Sequence, residues 1–483
     1  MAAPTDSAPP PRPAGPGSRS IFRRKPSTLD AATEQREGEG LSRSIGLWQL
    51  TAIGIGAIIG AGIFSLAGAV ANQTAGPGVT LSFVVAGIAS AAAGLSYAEF
   101  AGMIPISGSS YTYGYVVLGE AAGWMIGWDL LLEYTAIVAV VAIAVSGYFD
   151  FLLEGLGLHL PAWLLGAPGT GPGHEVDLFA MVFCLLIAFL LTRGIKTGAR
   201  VETALVALKL AIVVIVVVVG AFYVKGANFH PYLPFGVGGV FSGAALVFFA
   251  VFGYDALSTA AEESKDAQRN LPKAMIYSLA ICMVLYILAA TVLTGMQKYT
   301  KIDPESAFSN AFKAVGLGGL ANVIALGAVL GIVTVMFSFM LGASRIWYAI
   351  SRDGLLPRWF AKTSTKHRVP ARVTWILGAA SALLAGVLPI AEAAELTNVG
   401  ILLAFVVVCV AVIVLRYREP NRERAFRCPG MPVVPGIGVI ASIWLVTYLH
   451  PITWLRFVVW FLIGCVVYAA YGYRHSRLHR ADT

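Results

Sequence analysis

The fold is decided by one glycine-rich stretch, Ile53-Gly54-Ile55-Gly56-Ala57-Ile58-Ile59-Gly60-Ala61-Gly62-Ile63-Phe64. It lies in an apolar run long enough to span a bilayer, yet glycines stand where an ordinary spanning helix has leucines. A glycine inside a helix costs about 1 kcal/mol relative to alanine. The stretch therefore indicates one of two structures. Either a second helix packs closely on the pair Gly56 and Gly60, or the helix is broken and its freed N–H and C=O groups bind a ligand.

The composition is that of a helical membrane protein. The chain has 483 residues, of which 57% are hydrophobic and 12% charged, and its mean hydropathy is +0.76. A soluble protein of this length needs more charge to cover its surface. The net charge of +8 falls in the connections between apolar runs, so it reports topology and does not indicate a nucleic acid partner. The cysteines lack the spacing of a metal site or a disulfide framework: Cys184, Cys282, Cys409, Cys428 and Cys465.

Runs of about 20 apolar residues predict about twelve transmembrane helices. Basic residues concentrate in every second connection, which predicts an even number of spans with both termini in the cytoplasm. The predicted organisation is a disordered cytoplasmic tail over 1–40, a first repeat of five helices over 41–225, a second repeat over 226–416, two further helices over 417–472 and a basic cytoplasmic tail over 473–483.

The sixth apolar run, over about 240–262, carries a second interruption at Gly253 and Asp255. Aspartate favours helix N-termini, so Asp255 is predicted to begin a second half-helix, with a direct contact to the ligand as the alternative. The first and sixth runs hold corresponding places in two halves of opposite orientation. Two interrupted helices so placed indicate a substrate site at the membrane midplane of an inverted-repeat transporter. This pairing favours the broken helix over close packing for the opening stretch.

Several motifs resemble one known family. Residues 54–64 resemble the first-helix signature of the amino acid–polyamine–organocation superfamily, and residues 127–134, 248–272 and 351–357 resemble its cationic amino acid transporter branch. The resemblance implies an all-α, leucine-transporter-like fold with a five-plus-five inverted repeat, broken helices 1 and 6, and two C-terminal helices. It also implies secondary active uptake of cationic or broad-range amino acids by alternating access.

A broken helix offers complements for both charged groups of an amino acid. Its free N–H groups and positive dipole end face an anion, and its free carbonyls face a cation. By resemblance, the N–H groups on the outer side of the first break receive the carboxylate, and carbonyls at both breaks receive the ammonium. Relatives often carry Ser or Thr where Ala61 stands, so a hydroxyl contact is expected to be missing. The predicted substrate-binding residues are Ile58, Gly60, Ala61, Gly62, Phe249, Ala250, Phe252 and Gly253.

Lys209 is the predicted site of proton coupling. It lies about ten residues into the fifth span, roughly 15 Å from the end, and an ionisable residue at such depth is a functional hypothesis by default. Burial disfavours the charged form of a lysine, so a change of surroundings lets it take up and release a proton. The resemblance implies the same, because some proton-coupled relatives place a lysine where sodium-coupled relatives bind an ion. The alternative is a lysine that stays paired or snorkels. The proton is then the coupling ion, and no cofactor or metal is expected.

Side chains in the third and eighth spans are candidates for reading the substrate side chain. Glu133 is either a hydrogen-bonded structural carboxylate or an acid in the pocket, and the sequence leaves both open. Met336, Phe339 and Met340 are predicted to set the room for the side chain, with core packing as the alternative.

The remaining expectations concern partners and location. The expected partners are an amino acid and the lipid bilayer, with a small accessory membrane helix as a further candidate and no nucleic acid. The expected location is the cell (inner or plasma) membrane. No Walker lysine or HExxH motif occurs in the sequence, so neither a primary pump nor an enzyme is predicted. Two alternatives stay open, an amino acid or polyamine exchanger and a non-transporting amino acid sensor or scaffold.

Overall fold

The computed structural model describes residues 45–103, 111, 115, 119–194, 199–254, 257, 264–364, 369–421 and 423–476. The predictions for the N-terminal tail, for most of the C-terminal tail and for Asp255 lie outside these residues. The described chain is helical and contains no strand, only the isolated bridges Ile45–Ser264 and Leu165–Asp177.

The helices follow one another along the whole described chain. In chain order they are α1 (Leu47–Ile58), α2 (Ala67–Val70), α3 (Val79–Met103), α4 (Glu120–Gly155), α5 (Leu178–Thr192), α6 (Ala199–Ala221), α7 (Gly236–Val247), α8 (Ala267–Met296), α9 (Ala307–Ala314), α10 (Gly318–Arg352), α11 (Ala371–Val387), α12 (Ile390–Arg418), α13 (Val433–Val446), α14 (Pro451–Val467) and α15 (Tyr473–His475). The π-helical turns Gly62–Leu66 and Ala71–Ala75 flank α2. The short helix α9 was not predicted.

The helix lengths and composition are those of a polytopic membrane protein. Among the described residues, seven helical segments are long and apolar enough to cross a membrane: Gly62–Met103, Glu120–Gly155, Thr203–Ala221, Ala267–Met296, Gly318–Arg352, Ile390–Arg418 and Pro451–His475. Shorter apolar helices of 10–17 residues lie between them, among them α1 and α7. A helix of 12 residues such as α1 reaches about 18 Å, little more than half of a bilayer core.

The core is built around α4. In its most apolar window 78% of the residues are buried, compared with 22% for Pro451–His475. Helices α10 and α12 pack on α4 most extensively, and α5 and α11 pack on it as well. A helix that is apolar on all sides is buried by its neighbours, whereas the segment containing α14 lies at the edge of the bundle.

One buried carboxylate joins three segments at one end of the bundle. The Arg416 guanidinium donates to both oxygens of Glu99, at 2.8 and 2.7 Å, and the Arg424 Nε donates to the same carboxylate at 3.0 Å. The Cys428 N–H donates to it at 2.7 Å. A buried carboxylate is tolerated only when it is paired and hydrogen-bonded, so these contacts fix the end of α3 against that of α12.

The residues before the first interrupted helix also contact the backbone segment that follows the second interruption. The Lys265 N–H donates to the Ile45 carbonyl at 2.8 Å, next to the parallel bridge between Ile45 and Ser264. The residue before α1 is therefore tied to the segment that precedes α8.

Candidate functional site

The first break lies at the end of α1. Ile59 leaves the helical conformation (φ −73°, ψ 104°), and the helical path resumes with a hydrogen bond of 3.3 Å from the Phe64 N–H to the Gly60 carbonyl. The N–H groups of Gly60, Ala61 and Gly62 donate to no other residue in the described part of the chain. All three residues are buried. A buried helix N-terminus with free N–H groups can hold an anion such as a carboxylate.

The second break follows α7. The chain passes through the 3₁₀ turn Phe248–Val251, becomes extended at Phe252 (φ −93°, ψ 165°) and enters the left-handed region at Gly253 (φ 119°). Only glycine adopts this last conformation readily. No described residue donates a hydrogen bond to the carbonyls of Phe249, Ala250 or Phe252. Such carbonyls can accept hydrogen bonds from a cation such as an ammonium.

The two breaks pack directly against each other through glycine. A Cβ atom on Gly62 would lie 2.4 Å from the Ala250 Cα, and one on Gly253 would lie 2.9 Å from the Ala57 carbonyl oxygen and 3.2 Å from the Ile58 nitrogen. Real Cβ atoms do not approach so closely, so both positions require glycine for this contact. The N–H groups of the first break and the carbonyls of the second, which have no partner among the described residues, therefore lie on segments that pack directly against each other.

A small cavity lies where the breaks meet α4 and α10. Its lining is formed by Ala57, Ile58, Gly60, Ala61, Gly62, Ile137, Val141, Phe249, Phe252, Val335 and Phe339. Among the predicted residues, Ala250 and Gly253 lie behind this lining, against Gly62 and Ala57. The aliphatic side chains of Ile137, Val141 and Val335 were not predicted, and they make the walls apolar.

The cavity is contracted in this conformation. Its volume is ≈ 10 Å³, room for about one water molecule. The rings of Phe252 and Phe339 lie 6.1 Å apart, centroid to centroid, among the lining residues, and Val335 packs on Gly60. A molecule of the size of an amino acid therefore does not fit unless the broken segments and α10 separate.

The other predicted side chains lie near the cavity without lining it. Glu133 is buried, with 2% of its surface exposed, and stands one helical turn before Ile137 on the same side of α4. Both roles considered for Glu133 remain compatible with this position. Met336 and Met340 are buried in α10 and do not contribute to the lining.

Lys209 contacts the first broken helix. Its side chain is 1% exposed, and its Nζ donates to the Gly56 carbonyl at 2.9 Å. The aliphatic part packs on α10, where a Cβ on Gly331 would lie 2.7 Å from the Lys209 Cγ. The Lys209 amino group thus binds a carbonyl in the last turn before the break, four residues before Gly60, whose N–H group has no partner among the described residues.

Tyr286 holds a second carbonyl on the same side of this break, at the last residue of α1, and was missed in the sequence. Its hydroxyl donates to the Ile58 carbonyl at 2.8 Å, so one lone pair of this predicted ammonium acceptor is already used. A tyrosine inside an apolar span is a signal for such a bond, because its hydroxyl needs a partner when buried. The partner itself depends on how α8 packs on α1.

The connection between α8 and α10 covers the far end of the first broken helix. The Asn72 side chain donates to the carbonyls of Tyr299 and Ile302 at 3.2 and 2.9 Å. A Cβ on Gly68 would lie 2.3 Å from the Ala307 Cβ, and one on Gly147 would lie 2.6 Å from the Glu305 Cβ. Small residues on the broken helix and on α4 therefore allow this connection to pack closely over them.

Glu305 makes the stability of this cover depend on pH. Burial, followed by the charges of Asp177, Asp303 and Asp150, raises the pKa of Glu305 to about 8 from an ordinary value of 4.5. The folded state therefore holds a proton that the unfolded state has lost, and stability falls as the pH rises from about 4.5 to about 8. Glu305→Gln is expected to raise the melting temperature in detergent by about 3 °C at pH above 8 and to leave it unchanged near pH 5.

The matched control for this substitution is Glu392→Gln. Glu392 forms an exposed ion pair of 2.8 Å with Arg456, and exposed pairs contribute about 0–1 kcal/mol. Its loss should change the melting temperature little at either pH. An equal shift of the Glu305→Gln protein at both pH values would contradict the assignment.

Comparison of the sequence with known proteins places the chain in a family. Residues 45–471 match the model of the amino acid permease family. The chain is 46% identical to the branched-chain amino acid permease BcaP of Bacillus subtilis, over 95% of this chain and 99% of the relative. It is 44% identical to the methylthioribose transporter of the same organism, over 95% of this chain and 100% of the relative.

More distant relatives are named as cationic amino acid transporters. The vacuolar cationic amino acid transporter 4 of Arabidopsis thaliana is 35% identical, over 79% of this chain and 64% of the relative. The match to the family model covers all of the described helices except the last few residues. The chain therefore belongs to the amino acid permease family within the amino acid–polyamine–organocation superfamily, and is a multi-pass membrane transporter, not an enzyme.

Proposed function

We propose that this permease takes up neutral amino acids with aliphatic side chains, together with protons, by alternating access. The observation that carries the proposal is the meeting of free N–H groups and free carbonyls at two helix breaks inside an apolar wall. The N–H groups of Gly60, Ala61 and Gly62 would bind the carboxylate, and the carbonyls of Phe249 and Ala250 the ammonium. The common part of every amino acid is then bound without a charged side chain.

The walls of the cavity favour an aliphatic substrate side chain. Ile137, Val141 and Val335 offer no polar group to a charged side chain, and burying an unpaired charge against them is costly. Relatives from two organisms are named branched-chain amino acid permeases. Cationic amino acids are the second candidate, because the buried carboxyl group of Glu133 lies one turn from Ile137.

In the proposed membrane arrangement the chain crosses about twelve times, with 41–225 and 226–416 as inverted repeats and 417–472 as two added helices. The tails 1–40 and 473–483 would lie in the cytoplasm, and the protein in the inner or plasma membrane. The broken segments would open to one side and then to the other around the fixed site. Lys209 would bind the coupling proton, and no other cofactor is proposed.

Uptake by purified protein in proteoliposomes tests the function. We expect labelled leucine to accumulate under an inward proton gradient, and unlabelled isoleucine and valine to compete for it. Competition by arginine or lysine in place of the aliphatic amino acids would favour the cationic substrate, and competition by methylthioribose alone would rule out an amino acid.

The same vesicles separate uptake from its alternatives. Leucine uptake that requires amino acid inside the vesicles would identify an exchanger. Binding of leucine with no flux under any gradient would identify a sensor or scaffold and overturn the transport proposal.

A further inference from the structure

Asn398 of α12 makes two hydrogen bonds to the helix that precedes the second break. Its side chain is fully buried, and its Nδ2 donates to the carbonyls of Ala245 at 2.8 Å and Leu246 at 2.9 Å. Both carbonyls belong to the last turn of α7, directly before the 3₁₀ turn Phe248–Val251. Asn398 therefore contacts the second broken helix just before its irregular part.

Carbonyls in this place can accept a donor from a neighbouring helix. The last carbonyls of a helix lose regular intrahelical donors once the chain leaves the helical path, and inside a membrane no bulk water replaces them. The Leu246 carbonyl already accepts the Phe248 N–H. The side chain of Asn398 adds a donor from a different helix to the carbonyls of Ala245 and Leu246, and so fixes the last turn of α7.

A second side chain holds the other end of the same turn. The Ser90 hydroxyl of α3 donates to the Val251 carbonyl at 3.1 Å. Asn398 thus fixes carbonyls directly before the turn, and Ser90 fixes the carbonyl of its last residue. The carbonyls of Phe249 and Ala250, between these anchors, accept no hydrogen bond from any described residue.

We propose that Asn398 is a positioning residue for amino acid binding, which sets the orientation of the free carbonyls of Phe249 and Ala250 without touching the substrate. This rests on the proposed function, in which those carbonyls bind the ammonium. Asn398 does not line the cavity. Its own oxygen accepts no hydrogen bond from a described residue, so the side chain acts at this place through its donors alone.

The donor role makes the effect of substitution dependent on pH. Asn398→Leu keeps a similar volume and removes both donors, and should raise the KM for leucine about tenfold or more with a smaller change in kcat. A protonated aspartic acid has one O–H donor, whereas its carboxylate has none and repels the two carbonyls. Asn398→Asp should therefore bind leucine well at low pH and lose affinity, relative to the unsubstituted protein, as the pH rises.

Thr397→Val is the matched control on the same helix. It removes a buried hydrogen bond of 3.2 Å, from the Thr397 hydroxyl to the Ala393 carbonyl, which does not involve the break. This variant should keep the original KM at every pH. A KM of Asn398→Leu equal to that of the unsubstituted protein, or a defect of Asn398→Asp that does not change with pH, would overturn the proposal.

Hydrogen–deuterium exchange gives a readout that needs neither the substrate nor transport. Loss of the anchor should increase amide exchange of residues 248–253 in the Asn398→Leu protein and leave α12 unchanged. Unchanged exchange at this turn overturns the positioning role. Failure of the unsubstituted protein to bind leucine would instead refute the proposed function, while the exchange result would still decide the role of Asn398.

Discussion

A Lys209→Ala protein is expected to exchange leucine across the membrane but to lose accumulation driven by an inward proton gradient. The Nζ of Lys209 donates to the Gly56 carbonyl at 2.9 Å, one turn before the free N–H groups of the first break. Protonation at this position would strengthen the contact of the fifth-span helix α6 with the broken helix, and deprotonation would weaken it, because a charged donor forms the stronger hydrogen bond. Alanine keeps the backbone and the cavity, so the substrate site remains while the proton-dependent contact is gone.

The magnitude follows from the energy in the gradient. One pH unit corresponds to about 1.4 kcal/mol, a factor of about ten, so two units can concentrate a neutral substrate about 100-fold for one coupled proton. Lys209→Ala should bring the accumulation ratio to about 1. The measurement is leucine uptake into proteoliposomes, with counterflow as the test of exchange. Lys313→Ala, which removes a lysine that lies over the Phe151 ring at 5.3 Å, is the control and should accumulate normally. Undiminished accumulation by Lys209→Ala, with the original pH dependence, would show that another group carries the proton.

Gly62→Ala is expected to weaken substrate binding and transport about 100-fold with little loss of overall folding. The added Cβ would lie 2.4 Å from the Ala250 Cα, and neither atom can rotate away, so the two breaks must separate by about 1 Å to reach an ordinary contact. A displacement of about 1 Å in a binding site can cost about 100-fold in rate. Transport should fall by a similar factor, because the N–H groups and carbonyls would no longer converge on one amino acid.

Gly238→Ala provides the control for this substitution. Gly238 lies in α7 and has no atom within 4 Å of a Cβ placed on it. The Gly238→Ala protein should transport normally and should have the same melting temperature or a slightly higher one, since alanine favours the helix. Normal leucine affinity in the Gly62→Ala protein would show that the two breaks do not form the site together.

The positions of the breaks were predictable because their causes are local. Glycines such as Gly60 and Gly62 in an apolar run, and Gly253 with its left-handed conformation, mark places where a regular helix cannot continue. Motif resemblance named eight residues at the breaks. Ala250 and Gly253 lie behind the cavity, and the other six line it: Ile58, Gly60, Ala61, Gly62, Phe249 and Phe252. The walls contributed by Ile137, Val141 and Val335 were not predictable, because a helical period identifies a face of a helix but not the depth at which it meets a partner.

The anchors of the breaks were missed for the same reason. Tyr286 and Asn398 are polar residues in apolar spans, so the sequence signals that each needs a partner. The partner is a carbonyl on another helix, more than 150 residues away for Asn398 and 228 away for Tyr286. Such pairs depend on helix packing, which cannot be read from local sequence patterns. The raised pKa of Glu305 likewise arises first from its burial and then from charges such as that of Asp177, and both are set by how the chain packs.

The small volume between the breaks bears on energy conservation by the empty carrier. A cavity of ≈ 10 Å³ with apolar walls cannot admit a hydrated sodium or potassium ion, whose water shell alone exceeds that space. In this contracted form the space between the breaks offers no path for a hydrated sodium or potassium ion. A molecule that stays in this form therefore does not short-circuit a sodium or potassium gradient through this cavity.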